Sequence, residues 1–155
     1  MGVTHRLGEL GLTLPPVAAP VAAYVPAVRV GNQVWTSGQL PMVDGALPTT
    51  GKVGEGDGLV TPARATELAR TATLNALAAI AEQAGGLERI RRVIKVVGFV
   101  ASDPAFTGQP GVVNGASELL GQLFGEAGVH ARSAVGVAVL PLDAPVEIEL
   151  VVELR

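Results

Sequence analysis

The strongest constraint on this chain lies at its end, where Ala131-Arg-Ser-Ala-Val-Gly-Val-Ala-Val-Leu-Pro141 and Val146-Glu-Ile-Glu-Leu-Val-Val-Glu-Leu154 follow one another as two apolar runs of alternating texture. Alternation with a period of two predicts β-strands. In the first run Ala134, Gly136 and Ala138 make one face small, Arg132 lies on that same face, and Val135, Val137 and Val139 form the other. In the second run Val146, Ile148, Leu150, Val152 and Leu154 share a face, which sets Glu147, Glu149 and Glu153 opposite. An otherwise apolar ending thus displays one arginine and three carboxylates in fixed directions.

A guanidinium at the start of a strand, beside residues too small to cover it, has a planar donor fork free to take a carboxylate or phosphate through two hydrogen bonds. The alternative is an Arg132 paired with one of the chain's own glutamates at a sheet end, and spacing alone favours that commoner arrangement. If Leu140 to Pro145 closed a plain hairpin, Arg132 would lie roughly 20 Å from Glu147 at about 3.3 Å per residue. One chain folded that way does not bring both groups to one small ligand.

The rest of the composition narrows the class. At 155 residues with 48% hydrophobic content and no repeat, the chain is expected to be a single domain spanning 1–155, with a core that needs no metal or disulfide. Cysteine is absent, which removes thiolate chemistry and cysteine-based metal sites. A net charge of -3 and 3% aromatic content do not favour nucleic acid as a partner. His5 and His130 are the only imidazoles; neither has clustered partners of metal-site spacing, and His130 reads as a strand-entry residue rather than a catalyst. Pro15, Pro16 and Pro20 interrupt the region where a secretory signal would carry its apolar core, Met1-Gly2 lacks the myristoylation pattern because position 6 is Arg6, and no run reaches membrane-spanning length. A soluble cytoplasmic protein is the default expectation.

Taken in order, residues 1–20 read as an extended lead-in held by prolines. Tyr24 to Val30 and Gln33 to Leu40 are strand candidates around the turn pair Gly31-Asn32. Tyr24, the only tyrosine, is either a half-buried ring with its hydroxyl in water or a pocket wall. Thr36-Ser-Gly-Gln-Leu-Pro41 replaces branched residues with small and polar ones as the strand runs out. The glycine-rich stretch from Met42 to Gly58 reads as a surface loop. Thr61-Pro62 predicts a helix start and Gly85-Gly86 its end, with Leu74, Leu77, Ala78 and Ala81 at helical spacing. Val93 to Val100 predicts a strand inside the sheet. A second helix is expected from about Val112 to Phe124, with Asn114 in its first turn, there to cap locally or to contact a ligand. The resulting order of strands and helices predicts an α+β fold, a mixed sheet with two helices on one face and the other face apolar and bare, in need of a partner.

Arg132-Ser-Ala-Val, Leu140-Pro141, Val146-Glu-Ile-Glu149, Thr36-Ser-Gly-Gln-Leu-Pro41 and Val113-Asn114 together resemble the reactive intermediate deaminase (Rid) family, from about Tyr24 to the C-terminus. The resemblance implies a chorismate-mutase-like fold, homotrimeric assembly around the bare sheet faces, and a last strand lying between earlier ones with the arginine strand near an edge. It implies sites shared between subunits, with Arg132 and Asn114 of one facing Tyr24, Ser37, Gly38 and Glu147 of the next. The implied chemistry is hydrolysis of 2-imino acids or their enamine tautomers to 2-oxo acids and ammonia, without cofactor or metal: Arg132 holds the substrate carboxylate and Glu147 places water and moves protons. Relatives described as ribonucleases or translation inhibitors supply a second reading, and a non-catalytic small-carboxylate regulator a third. Ala134 replaces a cysteine common in the family, Ala23-Tyr24 replaces Pro-Tyr, and the chain is longer before Thr61 and around Pro104 to Gly111.

Overall fold

The computed structural model describes all 155 residues. The elements are α1 (Val3–Glu9), β1 (Ala27–Val30), β2 (Gln33–Thr36), α2 (Pro62–Ala84), β3 (Ile90–Ala101), α3 (Gln109–Phe124), β4 (Ala131–Val137) and β5 (Val146–Leu154). Five strands form one mixed sheet in the order β1-β2-β5-β3-β4, with β4 parallel to β3 and every other pair antiparallel. The two C-terminal strands are therefore not a hairpin: β3 lies between them and β4 is an edge.

The core is the sandwich between α2, α3 and one sheet face. Val146, Ile148, Leu150, Val152 and Leu154 all point into it and are buried, which is why the second run alternates. The face of α2 that meets the sheet and α3 is rich in alanine, with Ala65, Ala69, Ala72, Ala76 and Ala79 buried beside Leu68, Leu77 and Ile80. Each of those larger side chains contributes about 1.5–3 kcal/mol by leaving water. Thr61 Oγ1 accepts from the Arg64 N–H at 3.2 Å, Pro62 opens the first turn, and Gly85 closes the helix at φ 84°. Gly115 lets α3 come so close to α2 that a Cβ there would fall on the Thr66 carbonyl.

The lead-in differs from the expectation of an extended segment. Residues 3–9 form α1, because the prolines that oppose helix begin only at Pro15, while Val3 and Leu7, four residues apart, bury one face of a short helix. Its first turn is tied down from outside, with Glu88 accepting from the Thr4 N–H at 2.9 Å, and its last turn by Arg6 Nε donating to the Leu123 carbonyl at 2.6 Å. The fold thus has three helices rather than two. The first strand begins at Ala27, not Tyr24, and the second ends at Thr36, after which Gln39 makes a single bridge to Ile148. α3 starts at Gln109, so Asn114 lies in its second turn and is not a cap. No helix is long and apolar enough to cross a membrane.

The opposite sheet face is uncovered, as the pattern predicts, but it is not uniformly apolar. Val28, Trp35 and Val135 are exposed there, near half of their surface each, and between them stand Glu147 and Glu149 of β5 and Lys95 of β3. Cross-strand register fixes the arrangement: Phe99 pairs with Glu147 and Val97 with Glu149.

Candidate functional site

Two clusters of polar side chains emerge from this frame, at different places on the sheet. The first sits where β4 meets α3. The parallel register sets Arg132 beside Val96, on the helix-facing side of the sheet, because the small residues Ala134 and Gly136 leave that side of the edge strand open to α3. Arg132 Nη1 donates to Asn114 Oδ1 at 2.8 Å and to Ser117 Oγ at 3.1 Å, and Nη2 donates to the Pro110 carbonyl at 3.3 Å. Asn114 and Ser117, three residues apart, share the face of α3 that looks at β4. Nε–H and the second Nη2–H have no acceptor in the chain, and Nε and Nη2 lie on one edge of the guanidinium, the edge that a carboxylate takes with both oxygens. Arg132 does not pair with a glutamate; the arginines that do are Arg64, with Glu67, and Arg91, with Glu153.

Behind Arg132 stands His130, whose Nε2 is 3.0 Å from Ser117 Oγ and whose Nδ1 is buried without a partner. Burial first, and then the Arg132 charge, hold its pKa below the usual imidazole value.

The second cluster forms where β2 runs out beside the start of β5. Ser37 leaves the ladder and ties this end down, its Oγ donating to the Val25 carbonyl at 2.6 Å and its N–H to the Pro26 carbonyl at 2.8 Å. Gly38 follows, and the Glu147 carboxyl lies against it in the volume that a Cβ would fill. Tyr24, Gly38, Leu40, Met42, Pro141 and Glu147 line a small pocket open to solvent, whose far wall is the 18–21 segment. Tyr24 Oη accepts from the Val21 N–H at 3.2 Å, which leaves its own proton free to donate. Glu147 is half-buried; burial first, and then the like charge of Glu149 two residues on, push its pKa above the ordinary carboxylate range. Glu149 is raised as well, by burial. No three His, Cys, Asp or Glu side chains converge to hold a metal anywhere in the chain.

One chain brings Tyr24, Ser37, Gly38 and Glu147 together, and Arg132 with Asn114, but it does not bring the two groups to each other. Glu147 is level with Phe99 and Arg132 with Val96, three residues lower, and β3 separates their strands. Three residues of rise and two strand spacings set the two Cα atoms roughly 14 Å apart, with side chains on opposite faces. The separation is shorter than a hairpin would make it, and it leaves the same result: the two clusters do not meet within one chain.

Ser117 and His130 were missed by reading the sequence, although a signal was there. Ser117 is at i+3 from Asn114 on a helix, and His130 is two residues before Arg132, so both share a face with a residue already singled out. The wall at 18–21 carried no signal, since only the fold returns that segment to Glu147.

Comparison with known proteins adds the following. A family model described as "YjgF/chorismate_mutase-like, putative endoribonuclease" matches residues 4–154. The chain is 43% identical over 154 residues to Protein TCP17 of Trypanosoma cruzi, covering 99% of this chain and 94% of that one. It is similar to the crystal structure of a protein of unknown function from Agrobacterium tumefaciens, with TM-score 0.89, 48% identity and coverage of 99% and 92%. It is also similar to that of a "putative endoribonuclease" from Shewanella oneidensis, with TM-score 0.94, 36% identity and coverage of 99% and 100%.

Proposed function

Because the chain belongs to the YjgF/chorismate-mutase-like family, the Rid family of its sequence motifs, we propose that it is an imine deaminase, hydrolysing 2-imino acids or their enamine tautomers to 2-oxo acids and ammonia at clefts between the subunits of a homotrimer. The observation that carries this reading is that Arg132 keeps unspent donors, its Nε–H and one Nη2–H. A donor fork held on three sides by Asn114, Ser117 and Pro110, with no carboxylate of its own chain to meet, is built for a carboxylate that comes from outside. The division of the site into halves on opposite faces supports assembly, since a neighbouring copy supplies the half that each cleft lacks. The uncovered sheet face, where Trp35 and Val135 are exposed around half-buried Glu149, is the surface that three copies bring together.

The steps follow from the groups present. Arg132 of one subunit holds the substrate carboxylate through two hydrogen bonds and so fixes the imine carbon over the cavity of the next subunit. Glu147, whose pKa burial and then the Glu149 charge raise above the ordinary carboxylate value, donates a proton to the imine nitrogen; as a carboxylate it then takes a proton from the water that adds to the carbon. Glu147 gives that proton to the amine of the carbinolamine, ammonia leaves as the C–N bond breaks, and Glu147 takes up the hydroxyl proton as the C=O bond forms, which restores its starting state. The free Tyr24 hydroxyl and the strand-end backbone at Ser37 and Gly38 border the space in which this happens.

Imino acids made in situ by an amino-acid oxidase are the test. Added protein accelerates ammonia release, and Arg132→Ala abolishes the acceleration. If a 2-oxo acid binds but ammonia release is unchanged, the protein is a carboxylate-binding regulator instead. The names of relatives supply the other reading, RNA cleavage; ribonuclease activity that disappears in Arg132→Ala, without imine hydrolysis by the wild type, favours it.

A further inference from the structure

The hydrogen bonds that join Arg132, Ser117 and His130 run through one hydroxyl, Ser117 Oγ. A guanidinium only donates, so the Ser117 oxygen, 3.1 Å from Nη1, accepts there. With the ring proton on Nδ1, the single hydroxyl proton goes to the other neighbour, the His130 Nε2 lone pair at 3.0 Å; with it on Nε2, the same oxygen accepts from both sides through its two lone pairs. Nδ1 is buried without a partner in either case. An unmatched buried polar atom works against stability. The ring's contribution therefore lies in what Nε2 does to Ser117.

We propose that Ser117 and His130 are positioning residues of the carboxylate clamp: neutral His130 takes the Ser117 proton, turns the hydroxyl oxygen toward Arg132 Nη1, and so keeps the Nε–Nη2 edge of the fork aimed outward. The inference rests on Arg132 as the substrate clamp. A second proton on the ring removes that acceptor: Nε2 then donates to Ser117 Oγ, and a second positive charge stands beside the guanidinium. Burial and the Arg132 charge both oppose that proton, so the accepting form prevails at neutral pH and is lost on the acid side. Of the other charged groups nearby, Glu118 of α3 and Glu126 in the turn before β4 form no ion pair with the ring. Lys95 of β3 is level with Ala131, whose side chain is on the other face.

The test is calorimetric binding of 2-oxobutanoate between about pH 8 and about pH 5, where histidine titrates. It uses the full-length chain carrying Glu147→Gln, which silences the carboxylate of the cleft. Affinity is expected to fall with pH in this background. Adding Ser117→Ala weakens neutral-pH binding roughly tenfold, the scale of one hydrogen bond to a charged group, and Ser117→Thr restores most of it. His130→Gln, whose side-chain carbonyl accepts from Ser117 at every pH, binds near the starting level at neutral pH and loses the acid dependence. Unchanged affinity in Ser117→Ala, or an acid loss that persists in His130→Gln, overturns the positioning role while leaving the clamp standing. Absence of binding before either change is made overturns both.

Discussion

Replacing Gly38 by alanine separates the function of the Glu147 half-site from the stability of the fold. Gly38 is not among the residues with positive φ, so its backbone suits alanine as well as glycine. The new methyl group would occupy the space of the Glu147 carboxyl, and the obstacle is the far end of a flexible side chain, which can swing away. Two stability terms nearly cancel: alanine lowers the entropy of the unfolded chain, a gain of about 0.4–1 kcal/mol, while a displaced rotamer costs about 0.5–1.5 kcal/mol. Thermal unfolding should therefore move by no more than a few degrees. Catalysis has no such offset. A shift of about 1 Å in a catalytic group costs roughly a hundredfold, which is about 2.7 kcal/mol of barrier at 1.36 kcal/mol per factor of ten. Steady-state ammonia release should show kcat down by that factor, with KM nearly unchanged because Arg132 and Asn114 are untouched. A folded Gly38→Ala protein with kcat within about threefold of wild type would refute the placement of Glu147 in the reacting cleft.

Gly115→Ala should do the opposite, because its obstacle is the Thr66 backbone carbonyl and cannot rotate away; α2 and α3 must separate, at about 1–3 kcal/mol, and unfolding temperature falls by roughly 2–4 °C for each kcal/mol. Glu149→Gln removes the like charge that helps raise Glu147, so the pH profile of kcat should shift its Glu147 limb toward acid, as rate measurements across pH would reveal. Stability follows the same sign: the raised pKa values of Glu147 and Glu149 mean that their protonated forms favour the folded chain, a contribution fully present below the ordinary value of 4.5 and lost as pH rises through the raised values. Denaturant unfolding should accordingly find Glu149→Gln more stable than wild type at neutral pH and equal to it in acid.

Much of this architecture was legible because its signals are local. The alternation of β5 states which residues enter the core, and the Thr61-Pro62 and Gly85 punctuation bounds α2 to within a residue. α1 was illegible for a physical reason: a seven-residue helix has too little intrinsic stability to mark itself, and its anchors, Glu88 and Leu123, are supplied by distant parts of the chain. Asn114 was misplaced because α3 opens at Gln109 without a side-chain cap, so no boundary residue announces the start. At the site, Arg132 and Glu147 stand out by charge against apolar strands, whereas the partners that aim them do not. Ser117 and the Pro110 carbonyl reach Arg132 only because α3 packs against β4, and the Val25 carbonyl reaches Ser37 only at the open end of the β1–β2 pair, contacts that charge does not announce. The strand order, which no local pattern encodes, places β3 between the strands of Arg132 and Glu147.

The split site is the central claim, and mixing two inactive variants tests it directly. Arg132→Ala lacks the clamp and Glu147→Gln lacks the acid–base group, so neither assembles a complete cleft alone. In a ring of three that contains both chain types, one junction places an intact Arg132 against an intact Glu147. Random mixing of equal amounts makes about three quarters of the trimers mixed, each with one complete site of three, so roughly a quarter of wild-type ammonia release should return. Recovery near that level, with mixed assemblies verified by mass, is the predicted result. Mixed trimers as inactive as their parents would contradict the shared cleft and return Arg132 and Glu147 to separate roles within one chain.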